Sequence, residues 1–338
     1  MRFALLLFSP LSRLACRTKR ALYARGILRA RKSPIPVISV GNIAFGGSGK
    51  TPLAVEIAAD LLARGENPAL VSRGYRGAWE KRGGTLSDGR EIRGTWREGG
   101  DEPFMAARQV PRAGVFVGKD RLASCREAAG LGFSCAVLDD GFQHLRLARD
   151  VEIVLVDPEE KRALREGPIS LGQADFILVR KTEGSINKER IAASFPAAAV
   201  SEFWTEVRGF ASLNRDGTLP RDAFHGRRVL AFCGIAGPRR FFSLLEDCGA
   251  KLAGTLSFPD HYIYPKRALG RIADAARAAG AEAVITTEKD AVKIVAAGSP
   301  LETLPVFYLR IGCGVEPGFR EGLRAALKTA KGNRGGRP

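Results

Sequence analysis

The stretch "SVGNIAFGGSGKTPLAVEIAADLL", Ser39–Leu62, constrains this chain more than any other. A β-branched run enters a glycine-rich turn, and an apolar-periodic segment leaves it. That order reads as strand, loop and helix. A phosphate cradle needs backbone N–H groups that converge on an anion, and so needs glycines that tolerate unusual dihedrals and close approach. Gly46, Gly47 and Gly49, with Ser48 among them, supply these. Lys50 would then pair with the β- and γ-phosphates, and the Thr51 hydroxyl would hold Mg²⁺. The helix behind the loop adds its positive end. The strict pattern asks for glycine five places before Gly49, where this chain has Ala44, so the motif is irregular. A glycine-rich turn without nucleotide is the plainer alternative. The strand before the loop and the helix after it argue for the nucleotide.

What surrounds the loop is an α/β pattern. Strands are expected at Val37–Val40 and Ala69–Ser72, and within "AGVFVGKDR", "SCAVLDDGFQH", "VEIVLVD" and "ADFILVRK". Helices are expected at Pro52–Arg64, around Glu102–Gln109 and in "RLASCREAAGLG". Alternation of this kind predicts a parallel sheet covered on both faces. "GGTLSDGREIRGTW" is polar and turn-rich and is expected to be irregular. From 199 to 221 the chain reads as extended segments with turns, and "RRVLAFCGIAGPRRFFSLLEDCG" then restarts strand, loop and helix. The 338 residues are enough for two domains. The expected division is a basic helix at 1–32, a P-loop nucleotide-binding domain at 33–200 and a β-rich linker at 201–225. A smaller α/β domain at 226–312 follows, then a C-terminal helix and disordered basic tail at 313–338.

A formal net charge of +17 points to a polyanionic partner: nucleic acid, an anionic membrane surface or a phosphorylated substrate. Arginine is scattered along the whole chain, so local clustering has to decide. Residues 1–32 carry nine Lys/Arg and no Asp or Glu. The apolar run Ala4–Phe8 is far short of the roughly 20 residues a bilayer-spanning helix needs. On a helical projection Leu11, Leu14, Ala15 and Leu22 share one face, and Arg13, Arg17 and Arg20 the other. That is the pattern of a helix in a membrane interface, or of one packed on the protein with a solvated arginine face. The excess positive charge and the apolar lead favour the membrane. The six cysteines form no C-x-x-C, and with three histidines they make no zinc pattern. They read as buried small residues of a protein kept in a reducing compartment.

Four further stretches carry chemistry. "AVLDDGFQH", 136–144, runs an apolar strand into Asp139 and Asp140, the carboxylates a phosphate site needs for Mg²⁺, with Gln143 and His144 following. On a regular strand the two aspartates face opposite ways. "GGDEP" places Asp101 where a helix starts, and by itself reads as a cap with Pro103 early in the helix. "SFPDHY" puts His261 after an acidic residue in a loop, and "TTEKDAVK" reads as a capped helix start.

Together "VGNIAFGGSGKTP", "SRGYRG", "GGDEP", "LDDGFQH", "GIAGPRRFF", "FPDHY" and "TTEKDAVK" resemble, in order and over nearly the whole chain, the tetraacyldisaccharide 4'-kinase family of lipid A biosynthesis. The resemblance implies two α/β/α domains joined by a β-linker. It implies transfer of the ATP γ-phosphate to the 4'-hydroxyl of a tetraacylated disaccharide 1-phosphate, with ATP and Mg²⁺ as cofactors. It implies a place at the cytoplasmic face of the bacterial inner membrane. By the same resemblance Asp101 is the catalytic carboxylate and His261 its paired histidine. Thr51, Asp139, Asp140 and Gln143 fall in the metal segment, with His144 beside them, and residues 46–51 bind the nucleotide. Arg73 and Arg76 in "SRGYRG" are weaker candidates for phosphate contact. "RALREGPISLGQADF" departs from the family's usual spacing, so Arg165 and Glu166 receive no role.

The partners expected are the lipid A disaccharide precursor and an anionic membrane, with no nucleic acid and no obligate protein partner. Two rival readings are another P-loop phosphotransferase or NTPase with a different anionic acceptor, and a nucleic-acid-binding NTPase. No N-K-x-D guanine-reading motif occurs. The chain has five Tyr and three Trp, and its charge is heaviest at the N-terminus and tail, which poorly fits a base-stacking groove.

Overall fold

A computed structural model of the chain describes residues 14–44, 49–158, 164–182, 187–213, 217–294 and 300–335. The contacts divide it into two compact units. One comprises Met1–Trp204 with Cys313–Pro338, the other Thr205–Gly312.

The first unit is built on parallel strands β1 (Val37–Asn42), β2 (Pro68–Ser72), β4 (Gly114–Val117), β5 (Cys135–Asp139), β6 (Val151–Val156) and β7 (Phe176–Arg180). The first residues of β8 (Ala199–Ser212) join them. The order is β8-β7-β6-β1-β5-β2-β4, and β3 (Gly84–Asp88) closes the edge antiparallel to β4. The central strands are almost continuously apolar, as strands buried on both faces must be. Neighbouring residues feed opposite layers. Ile38, Val40, Cys135 and Val137 pack with Leu53, Ile57 and Leu61 of helix α2 (Lys50–Ala63). Val37, Ala136 and Leu138 pack with Leu122, Cys125 and Ala128 of helix α5 (Arg121–Gly130).

Helix α10 (Pro317–Gly335) lays Phe319, Leu323 and Leu327 into the same layer as α2. The disorder expected for the basic tail within 313–338 is therefore corrected as far as Gly335. Lys331 Nζ sits 2.5 Å from Glu66, and Arg334 reaches Asp150 at 2.6 Å, so partners far away in sequence hold the basic tail helical. Strand β3 corrects the irregular reading of 83–96. A polar edge strand gives little apolar alternation to read.

The second unit carries parallel strands in the order β11 (Lys251–Ser257), β10 (Arg228–Cys233), β12 (Ala283–Thr287) and β13 (Val306–Val315). Phe241 and Leu245 of helix α7 (Pro238–Asp247) pack in one layer, and Leu269 and Ile272 of helix α8 (Lys266–Ala278) in another. The short strand β9 (Thr218–Leu219) pairs with the far end of β8.

All six described or partly described cysteines are unbonded, and five are buried. Among the described residues no helix is long and apolar enough to cross a membrane.

Candidate active site

In the first unit the predicted residues gather where β1 and β5 end. Gly46, Gly47 and Ser48 lie outside the described residues. Gly49 is described and adopts φ 95°. An added Cβ there would lie 3.3 Å from the Phe203 ring and 3.5 Å from Arg180 Nη2, so both the dihedral and the space call for glycine. Ala44, at the irregular position of the motif, forms an antiparallel bridge to Leu164. Arg165 N donates to Ile43 O at 2.7 Å beside it. The start of the loop is thus a strapped strand end, a conformation that does not need glycine.

Lys50 is buried. Its ammonium lies 2.9 Å from Asn42 Oδ1 and 3.1 Å from Asp140 Oδ1. Thr51 Oγ1 donates to Asp139 Oδ2 at 2.8 Å. The two aspartates do not simply face opposite sides of a strand. β5 ends at Asp139, and Asp140 takes φ 58°, a left-handed step. That turn brings its carboxylate to Lys50 and, at 3.0 Å, to Arg165 Nη1.

The pair is split electrostatically. Burial raises Asp139 to about 7, and the nearby Glu102 charge adds to the rise against the hydrogen bond from Thr51. Burial also works against Asp140, but Lys50 and Arg165 outweigh it and hold that group at about 2. Asp139 Oδ1 is buried without a hydrogen-bond partner among the described residues. A buried carboxylate oxygen of this kind, beside a threonine hydroxyl, fits a hard cation such as Mg²⁺. Gln143 Nε2 donates to Asn42 O at 2.8 Å, and Arg165 Nη1 reaches Gln143 Oε1 at 3.4 Å. Gln143 and Asp140 therefore surround the lysine through protein contacts, while Asp139 offers the open oxygen. Burial, with Arg121 and Lys19 nearby, lowers His144 to about 4.

Asp101 is buried as the first residue of helix α4 (Asp101–Gln109). It is not the cap, as its sequence context suggested. Gly100 caps the helix, and Asp101 Oδ1 accepts from Glu102 N at 3.1 Å. The helix end favours its charge. The loop holding "SRGYRG" lies directly against this turn: Ala78 N donates to Arg97 O and Trp79 N to Glu98 O, both at 2.9 Å. A Cβ on Gly77 would come within 2.6 Å of Gly100 N, so only glycine allows the approach. Arg73 is held by Glu80 at 2.6 Å, and Arg76 lies over Tyr75. His261 belongs to the second unit, in the turn after β11.

Several residues of this neighbourhood escaped the sequence reading. Asn42 receives Lys50 on its side chain and Gln143 on its carbonyl. Arg121, at the start of α5, is buried; its Nη1 donates to Gly118 O at 2.6 Å. Burial lowers it to about 10 against the pull of Asp140 and Asp139. Arg180, at the end of β7, pairs with Asp157 at 2.8 Å beside Gly49. The segment left without a role is structural in part. Arg165 braces Asp140, and Glu166 takes Arg20 of the N-terminal helix, residues 14–24.

One arginine of that helix turns inward, and Arg17 stays exposed. Arg20 is buried, bonded to Glu166, to Gln173 and, at 3.1 Å, to Phe142 O, with its guanidinium 4.1 Å above the Phe142 ring. Leu14 and Ala15 face outward. Leu11, Arg13 and the Ala4–Phe8 run lie outside the described residues.

The chain is similar to known proteins over nearly its whole length. The family model described as Tetraacyldisaccharide-1-P 4'-kinase matches residues 1–328. The chain belongs to that family. A tetraacyldisaccharide 4'-kinase of Geobacter metallireducens is 38% identical over 88% of this chain and 89% of its own length. One from Syntrophus aciditrophicus is 36% identical over 93% and 90%. Among solved structures, LpxK from Aquifex aeolicus in complex with ATP superposes with a TM-score of 0.74 at 28% identity. The match covers 96% of this chain and 99% of that one. The α/β fold of the 4'-kinase family is thereby shared, and Lys50, Thr51, the paired aspartates and Glu102 of the "GGDEP" turn occupy one described neighbourhood of it.

Proposed function

We propose that this chain transfers the γ-phosphate of ATP to the 4'-hydroxyl of tetraacyldisaccharide 1-phosphate, the kinase step of lipid A biosynthesis. The observation that carries the reading is the pairing of Thr51 with Asp139 beside Lys50, in a chain matched to the family over residues 1–328. Phosphoryl transfer asks a protein mainly for positioning and charge neutralisation.

Residues 46–51 hold the triphosphate through backbone amides, and Lys50 neutralises the transferred group. Lys50 is pre-aimed: Asn42 and Asp140 fix its ammonium before any ligand arrives. Thr51 and Asp139 would hold Mg²⁺, which supplies further charge neutralisation at the phosphates. Arg165 keeps Asp140 in its left-handed position, so that Asp140 and Gln143 orient the lysine and the metal segment. A sugar hydroxyl is a poor nucleophile near neutral pH, and a base that takes its proton as the new bond forms lowers the barrier. Asp101 is that base. The O4'–H proton passes to its carboxylate, the O4'–P bond forms, and the bond from the γ-phosphorus to its bridging oxygen breaks with the electron pair leaving on ADP. His261 assists Asp101 in handling the proton.

The acceptor is an acylated lipid, so the protein works at the cytoplasmic face of the inner membrane as a peripheral protein. The exposed Leu14, Ile27 and Leu28, set among arginines, support that placement. Asp101→Ala tests the assignment of the base. Turnover should fall by about 10²–10⁴ while ATP still binds; loss of ATP binding with turnover would reassign Asp101 to the nucleotide site.

A further inference from the structure

The inward face of the N-terminal helix, residues 14–24, meets the turn that carries the metal segment. Arg20 Nη2 donates to Phe142 O at 3.1 Å, and Lys19 Nζ to Gln143 O at 3.3 Å. Both carbonyls follow directly on Asp139 and Asp140 in the chain. Among the described residues no other donor reaches either of them. Phe142 is fully buried, so its carbonyl depends on a protein donor.

The turn is pressed onto β1. A Cβ on Gly41 would lie 2.4 Å from Phe142 Cβ, and one on Gly141 would lie 2.4 Å from Ser39 Oγ. Two side chains run from the turn to the nucleotide loop. Asp140 meets Lys50 at 3.1 Å, and Gln143 Nε2 donates at 2.8 Å to the carbonyl of Asn42, whose side chain also takes Lys50. A shift of the turn therefore passes to the ammonium. The helix holds the other side of the same frame. Arg20 Nη2 reaches Glu166 Oε1 at 3.0 Å, and the neighbouring Arg165 braces Asp140 at 3.0 Å. Arg20 also bonds to Gln173, at the end of the 3₁₀ turn Pro168–Gln173.

A helix that served only to attach the protein to lipid would leave its cations to water and headgroups. Here the buried Arg20 and the half-buried Lys19 are aimed at backbone carbonyls of the site. We propose that Lys19 and Arg20 are positioning residues for phosphoryl transfer: by holding the carbonyls of Phe142 and Gln143 they fix the turn that sets Asp139, Asp140 and Gln143 around Lys50 and the metal. Seating of the N-terminal helix is then a condition for metal and nucleotide binding, separate from attachment to the membrane. The inference rests on the reading of that turn as the metal segment. Residues that orient metal ligands from behind typically matter by about 10–100-fold in affinity or rate.

The test uses the full-length protein with ATP and Mn²⁺, a paramagnetic stand-in for Mg²⁺, bound ion being read by electron paramagnetic resonance. Arg20→Met/Glu166→Gln removes the donor to Phe142 O without stranding a buried charge. It should bind Mn²⁺ with ATP about 10–100-fold more weakly than wild type, while floating normally with vesicles of phosphatidylethanolamine and phosphatidylglycerol. Lys19→Met, which leaves the buried ion pair intact, should shift the affinity in the same direction, and Lys19→Arg should restore it. Leu14→Glu/Ile27→Glu should do the reverse, floating poorly and binding Mn²⁺ as wild type does. Wild-type affinity in Arg20→Met/Glu166→Gln or in Lys19→Met overturns the inference for the residue replaced, and a loss of turnover that then follows flotation makes the helix an anchor alone. A wild-type protein that takes up no Mn²⁺ with ATP contradicts the metal reading of the turn and the inference with it. One that binds the ion but leaves the proposed acceptor unlabelled contradicts the acceptor alone, and the Mn²⁺ comparison still decides the roles of Lys19 and Arg20.

Discussion

Thr51 Oγ1 donates to Asp139 Oδ2 at 2.8 Å, tying the first turn of α2 to the end of β5. The other oxygen of that carboxylate is buried and lacks a partner among the described residues. A carboxylate so placed is costly for the fold and useful for binding a cation.

The cost can be measured. Asp139 rises from its ordinary 3.8 to about 7 in the folded protein. Between those values the folded state holds a proton that the unfolded state has released, so its stabilising contribution is greatest below 3.8 and is lost as the pH rises through about 7. Asp139→Asn keeps an oxygen for Thr51 and removes the charge. At mildly alkaline pH the ligand-free variant should be more stable than the wild type by about 1–4 kcal/mol, while losing kinase activity. Urea unfolding at acidic and alkaline pH reads this out. Equal stability of the two proteins at alkaline pH would show that the carboxylate carries no such burden.

Lys50 and Arg165 share Asp140, and the lysine also leans on Asn42. Lys50→Met should cut kcat by about 10²–10³, the scale for removing one preorganised donor from a developing charge. Arg165→Met should act more weakly and through Asp140, raising that carboxyl from its low value. Steady-state kinetics on both variants checks the order. Arg165→Met matching or exceeding Lys50→Met would mean that Arg165 touches the transferred group itself.

Arg20 and Glu166 form a buried pair that fastens the N-terminal helix to the nucleotide unit. Removing one partner leaves the other charge buried and uncompensated. Arg20→Ala should cost about 3–5 kcal/mol, and the double variant Arg20→Met/Glu166→Gln should recover much of it. Denaturant titration of the three proteins decides; an Arg20→Ala loss well under about 1 kcal/mol would place the pair in water.

Because Arg20 faces inward, the exposed apolar residues on and just after that helix are the ones to test for lipid. Leu14 and Ile27 are 63% and 65% exposed. Leu14→Glu/Ile27→Glu should weaken binding to anionic vesicles without lowering thermal stability, since neither side chain is packed. Flotation at low and high salt separates apolar from ionic attachment. Unaltered flotation in the double variant would rule out this face.

Which parts of this architecture the sequence discloses follows from how local their causes are. The strand–loop–helix at Ser39–Leu62 and the apolar strand ending in Asp139 are legible because their glycines, periodicity and acids lie within one short window. The facing of the N-terminal helix is not. Arg20 is ordered by partners at Phe142, Glu166 and Gln173, more than a hundred residues away in sequence, which a helical projection cannot show. Arg121 has the same character, since an arginine opening a helix after "GKD" reads as solvated until the sheet places it near Asp139 and Asp140. Asn42 is likewise hidden, because its two partners come from separate stretches, Lys50 at the start of α2 and Gln143 after β5.

The most direct measurement is transfer of label from γ-³²P-ATP to tetraacyldisaccharide 1-phosphate in mixed micelles with Mg²⁺, with the site of phosphorylation on the product mapped. The account predicts labelled product carrying the new phosphate at the 4' position for the wild type, and none above background for Asp139→Asn. A protein that binds ATP and leaves this acceptor unlabelled, or labels it elsewhere, would contradict it.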